Sequence, residues 1–145
     1  MSIYAKFDEY FKNKDLATVL TEAEKYFVKI DECAKLMRTT QSDNFSVLND
    51  ILVKVGGYRA YLEPVLGLAM TYKKGNEMLE FDELAKAQIA KNEKVVAAQL
   101  EKAASLKVQD ERKVRNIFQS YINSCEAIVR SIQSRLKSDQ KIQAD

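Results

Sequence analysis

The chain has no histidine and no tryptophan, and its 145 residues include only one proline, four glycines and two cysteines. Each scarcity excludes something. Without histidine, the side chain that most often serves as general base and metal ligand near neutral pH is missing. Cys33 and Cys125 lie far apart with no CxxC spacing, so they read as small buried hydrophobes rather than a zinc site or a disulfide pair. The sparsest stretch is the second half. After Gly75 there is neither glycine nor proline through Asp145. Those two residues are the usual punctuation of tight turns. In their place stand Ala, Glu, Lys, Gln, Leu and Arg, which fit a helix with little loss of side-chain freedom. The predicted fold is therefore all-α, a helical bundle with long C-terminal helices, in a single domain over residues 1–145.

Other absences narrow function. The net charge of +2 is too small to argue by itself for nucleic acid or membrane. No apolar run approaches the ~20 residues of a membrane span. The N-terminus, Met1 to Glu9, carries early acids and no signal-type apolar run, which points to a cytoplasmic protein. Phosphate-binding and nucleophile motifs of the GxxxxGK[ST], GxGxxG and GxSxG types are missing. The one carboxylate cluster is Glu77-x-x-Glu80-x-Asp82-Glu83. All-helical nucleotide pyrophosphohydrolases pair such an ExxE with an ExxD on another helix. Here Val96 follows three residues after Glu93 and Ala104 three after Glu101, so the second pair is missing. An acidic helix start, favoured by the helix dipole, is the simpler account. No enzymatic activity, catalytic residue, metal site or cofactor is expected.

Hydrophobic spacing divides the chain. Ile3, Phe7, Tyr10 and Phe11 share one face of a short first helix, and Asp15 is placed to cap the next. That second helix is predicted over Leu16 to Thr39, with a heptad seam at Leu16, Leu20, Ala23, Phe27, Ile30, Ala34 and Met37. Gln41 to Asn44 reads as a loop. A third segment, Phe45 to Tyr72, is apolar on more than one side, and Gly56-Gly57 with Pro64 predicts a kink or short break inside it. Lys73-Lys74-Gly75-Asn76 reads as a turn. Beyond it charge changes sign: residues 76–111 carry five lysines against eight acids, and 112–141 carry seven bases against two acids. The change predicts a helical hairpin with its turn near Ser105 to Gln109.

The last segment has a second seam: Val114, Phe118, Tyr121, Cys125, Ile128 and Ile132. Unpartnered seams of this kind predict a homo-oligomer, with Val114, Phe118, Tyr121, Ile128 and Ile132 at its interface. Opposite the seam, at about 100° per residue, lie Arg112, Arg115, Arg130, Lys137 and Lys141, with Glu126 as the one acid of that face. A basic rail of this type can grip the phosphates of single-stranded DNA; the plain alternative is a solvated outer face. Tyr58-Arg59-x-Tyr61 and Tyr72-Lys73-Lys74 set aromatics beside cations, so Arg59, Lys73 and Lys74 join the candidate contacts.

These residues also carry a resemblance. Tyr58-Arg59-Ala60-Tyr61-Leu62-Glu63, Tyr72-Lys73-Lys74-Gly75, and the run from Tyr121 to Lys137 with its closing Ser134-Arg135 are similar to the small helical recombination mediators of tailed phages, the UvsY type. The resemblance implies a phage-encoded, ring-forming protein in the host cytoplasm that binds single-stranded DNA. Its partners would be a RecA-like recombinase and a single-strand-binding protein, with Lys73, Lys74 and Arg59 near the DNA. The leading expectation is thus a non-enzymatic, single-stranded-DNA-binding recombination accessory protein. The alternative is a structural or adaptor bundle, serving phage assembly or protein interaction, with no nucleic-acid role.

Overall fold

The computed structural model describes the backbone of residues 2–144 and the side chains of residues 2–138. Five helices follow in order: α1 (Ile3–Lys12), α2 (Leu16–Thr39), α3 (Phe45–Ala90), α4 (Ala97–Lys107) and α5 (Gln109–Ala144). No strand occurs among the described residues, and none of their helices is long and apolar enough to cross a membrane. The all-α expectation therefore holds.

The start of the chain forms as its residues dictate. The Ser2 hydroxyl accepts from the Ala5 N–H and caps α1. Lys14 takes a positive φ of 56°, which turns the chain, and the Asp15 carboxylate then accepts from the Thr18 N–H at 3.3 Å and caps α2. The Asn44 side chain stands in the same relation to Val47 at the start of α3.

Two expectations about α3 fail. Of the kink or short break predicted between Gly56 and Pro64, the break does not occur, and Lys73 to Asn76 is not a turn; α3 runs unbroken for 46 residues. Gly56, Gly57, Ala60, Glu63, Pro64 and Gly67 are all exposed, so they share the solvent side, where water can take the carbonyl that Pro64 leaves without a donor. The buried side carries Leu48, Ile51, Val55, Leu62, Val65 and Ala69. Burying such side chains is worth roughly 1.5–3 kcal/mol each, enough in sum to override ~1 kcal/mol per glycine and ~3 kcal/mol for the proline. At Gly75 the helix is tied on both sides, by an ion pair from Lys73 to Glu77 at 2.9 Å and by Asn76 donating to Glu111 at 2.8 Å.

The actual reversal comes at residues 91–96. Asn92 takes a φ of 55° there, the left-handed conformation that asparagine tolerates better than most residues. The break near Ser105 to Gln109 exists but is small: only Val108 leaves the helical pattern, and it is buried.

The residues group into two compact units, Met1–Val19 with Val65–Ile117 and Leu20–Pro64 with Phe118–Asp145, so α3 and α5 contribute to both. In the first unit α1 packs on α3: Phe11 stacks on Tyr72 at 5.8 Å, and the Tyr72 hydroxyl donates to Asp8 at 2.7 Å. The chain then doubles back, setting Lys107 against Glu80 and Glu111 against Asn76. Leu100, Ala104, Val108 and Val114 are buried.

The second unit packs three helical segments. Tyr26 of α2 meets Tyr58 and Tyr61 of α3, while Phe27 meets Phe118 edge-on and stacks on Tyr121 of α5. Val19, Ala23, Phe27, Ile30 and Cys33 are the buried line of α2; Leu16, Leu20, Ala34 and Met37 of the predicted seam are half-buried.

Candidate nucleic-acid interface

Arg112, Arg115, Arg130, Lys137 and Lys141 all lie on α5, and the predicted contact residues divide between the two units. Arg112 and Arg115, with Lys73 and Lys74, fall in the first unit; Arg59, Arg130 and Lys137 fall in the second. Lys141 lies outside the residues whose side chains are described.

Most of these cations already have work inside the fold. Arg112 donates to the Ser105 carbonyl at 2.8 Å and to the Ser105 hydroxyl, which satisfies the C-terminal end of α4. Arg135, outside the predicted rail, does the same for α2, donating to the carbonyls of Met37 at 2.8 Å and Thr40 at 3.4 Å. Arg115 holds the Asn116 side chain. Arg59 donates to Glu63 at 2.8 Å and Glu126 at 3.1 Å, and the Glu63 bond holds its pKa above the usual guanidinium range. Lys73 is half-buried against Glu77. Arg130 reaches Glu126 only at 3.6 Å and is 78% exposed; Lys74 and Lys137 are exposed as well. Of the bases in the last segment, Arg112 and Arg135 thus cap helix ends and Arg130 faces Glu126, while Lys113 and Lys137 are exposed.

The proposed oligomer seam is likewise occupied. Val114, Phe118, Ile128 and Ile132 are buried within the chain itself, and Tyr121 is half-buried, stacked on Phe27 at 4.3 Å with its hydroxyl donating to Asp31 at 3.0 Å. Four of these five side chains are thus buried in this chain's own packing, and Tyr121 is partly so.

A different group of residues forms a half-buried aromatic cluster in the second unit. The rings of Tyr26 and Tyr61 stack at 3.7 Å, and Tyr58 meets Tyr26 edge-on at 6.1 Å. All three are half-buried, with part of each side chain reaching solvent. The Lys25 ammonium lies 5.4 Å from the Tyr26 ring centre and Lys29 lies 5.9 Å from that of Tyr58. Neither lysine has a carboxylate within ion-pair distance among the described residues, whereas Lys54 is held by Asp50 at 2.9 Å. Burial raises the Tyr58 pKa, so its phenol stays protonated. Of this group, sequence reasoning singled out Tyr58 and Tyr61 and missed Lys25, Tyr26 and Lys29. The available signal was Lys25-Tyr26-x-x-Lys29, two cations four apart on one helical face beside an aromatic.

The carboxylates Glu77 and Glu80 are engaged by Lys73 and Lys107. No group of three or more acidic or cysteine side chains among the described residues is arranged to hold a metal ion. Cys33 and Cys125 are free thiols, and burial pushes the Cys125 pKa up to about 11.

Comparison with family models, with curated proteins and with solved structures returned no match.

Proposed function

We propose that the chain is a non-enzymatic single-stranded-DNA-binding accessory protein whose contact surface is the α2–α3 edge of the second unit. The observation that carries this reading is the tyrosine cluster: Tyr26 and Tyr61 stacked beside Tyr58, with the Lys25 ammonium over the Tyr26 ring and that of Lys29 over the Tyr58 ring. Unstacked bases pack on partly open aromatic faces, at about 1–3 kcal/mol per base, while adjacent cations hold the backbone. Lys35, Arg38, Arg130 and Lys137 are further exposed cations among the described residues of this unit. A mediator role, with a RecA-like recombinase and a single-strand-binding protein as partners, is supported by the sequence resemblance alone.

The test is a pair of double charge reversals compared on a labelled oligothymidine. Lys25→Glu with Lys29→Glu should weaken binding by at least about tenfold, since two phosphate contacts are lost, while helicity is unchanged. Arg130→Glu with Lys137→Glu should do less. Unaltered affinity in the first pair would sink the tyrosine cluster as the contact surface. The second reading, an adaptor bundle without a nucleic-acid role, is favoured by the use of Arg112 and Arg135 as helix caps. It predicts that neither pair changes anything because the wild-type chain binds no DNA.

A further inference from the structure

Beyond the nucleic-acid surface, the first unit carries a groove between α3 and α4 of about 490 Å³, lined by Lys74, Glu77, Met78, Phe81, Asp82, Glu101 and Ala104. Its floor is apolar and its rim is acidic. Met78, a flexible and adaptable apolar side chain, lines the groove and is 62% exposed. At about 100° per residue, Ala85 and Ile89 fall within about 20° of Met78, so the stripe continues toward the end of α3. Ile89 is 64% exposed. The rim charges are three carboxylates against one lysine, and Lys73 already neutralises part of Glu77. Asp82 and Glu101, on facing helices, are exposed and have no cation within ion-pair distance among the described residues.

We infer that this groove receives an amphipathic helix of a partner protein, one whose apolar stripe is flanked by lysine or arginine. An apolar stripe of this length matches the i, i+4, i+7 anchors of a helix laid in a groove. The unpaired carboxylates on both walls select for basic flanks and against acidic ones. A second copy of this chain is the rival occupant. The inference does not depend on the nucleic-acid reading, since every lining residue lies in the first unit.

The probe is a fluorescent leucine–lysine amphipathic helix of about 18 residues, with a leucine–glutamate helix of the same apolar pattern as its counterpart. The full chain should bind the basic helix at least about tenfold more tightly than the acidic one. Asp82→Lys with Glu101→Lys should reverse that preference, and the exposed change Glu24→Lys in the other unit should leave it alone. Met78→Asp should weaken both helices. Equal binding of the two helices, or charge reversal without effect, overturns the inference. So does a dimer by sedimentation that Met78→Asp dissociates, because the groove would then be filled by a second copy.

Discussion

Cys125 sits at the centre of the second unit with no exposed surface, and its environment has a consequence in alkaline solution. Burial raises its pKa from 9.0 to about 11, opposed by the nearby Arg59 charge. A thiol whose folded pKa lies above the unfolded one contributes stability that is complete below the unfolded value. That contribution is lost as pH rises through the folded value. Stability measured by urea unfolding should therefore fall between about pH 9 and 11, and Cys125→Ala should lower stability below about pH 9 and flatten the fall above it. Identical pH slopes for the two proteins would contradict the assignment. Burial also raises the Cys33 pKa, in the same direction.

Among the elements, the sequence made α1, α2 and the loop before α3 legible, because each carries a capping side chain and a clean apolar face: Ser2 with Phe7 and Phe11, and Asp15 with Ala23, Phe27 and Ile30. The inner face of α5 was legible for the same reason, though not what covers it. An apolar seam reads the same whether its partner helix belongs to this chain or another, and only the positions of Phe27 and Asp31 against Tyr121 decide that. Gly56, Gly57, Pro64 and Gly75 misled, because local propensity yields to burial on the opposite face of α3. The true turn at Lys91-Asn92 carries no glycine or proline, and its one cue is asparagine in the left-handed region.

These elements still carry their local penalties, and removing them should stabilise the fold. An added methyl at Gly57 would meet no heavy atom within 4 Å, so Gly57→Ala should raise stability by about 0.5–1 kcal/mol. Val96 starts α4 without a side-chain cap, and Val96→Asp should add roughly 1 kcal/mol. Both gains can be read from thermal unfolding; a loss at either site would mean that the local conformation is not as described.

For the whole molecule, the net charge is only +2, and Arg59, Arg112 and Arg135 are engaged within the fold. Binding is accordingly assigned to stacking on Tyr26, Tyr58 and Tyr61 with a few lysines, and only a modest share to phosphate contacts. The basic rail read from α5 predicts the opposite balance, many phosphate contacts and a steep dependence on salt. The two are distinguishable because each phosphate contact on a single strand contributes about −0.7 to the slope of log affinity against log salt.

The deciding measurement is a titration of labelled oligothymidine with the full chain at about 50 and 200 mM salt, repeated with Tyr26→Ala. The account predicts binding that weakens by roughly 7- to 20-fold across that range, as two or three phosphate contacts require, and that Tyr26→Ala weakens at both salt concentrations. A folded chain that binds no oligonucleotide at the lower salt would contradict it, as would binding that Tyr26→Ala leaves intact.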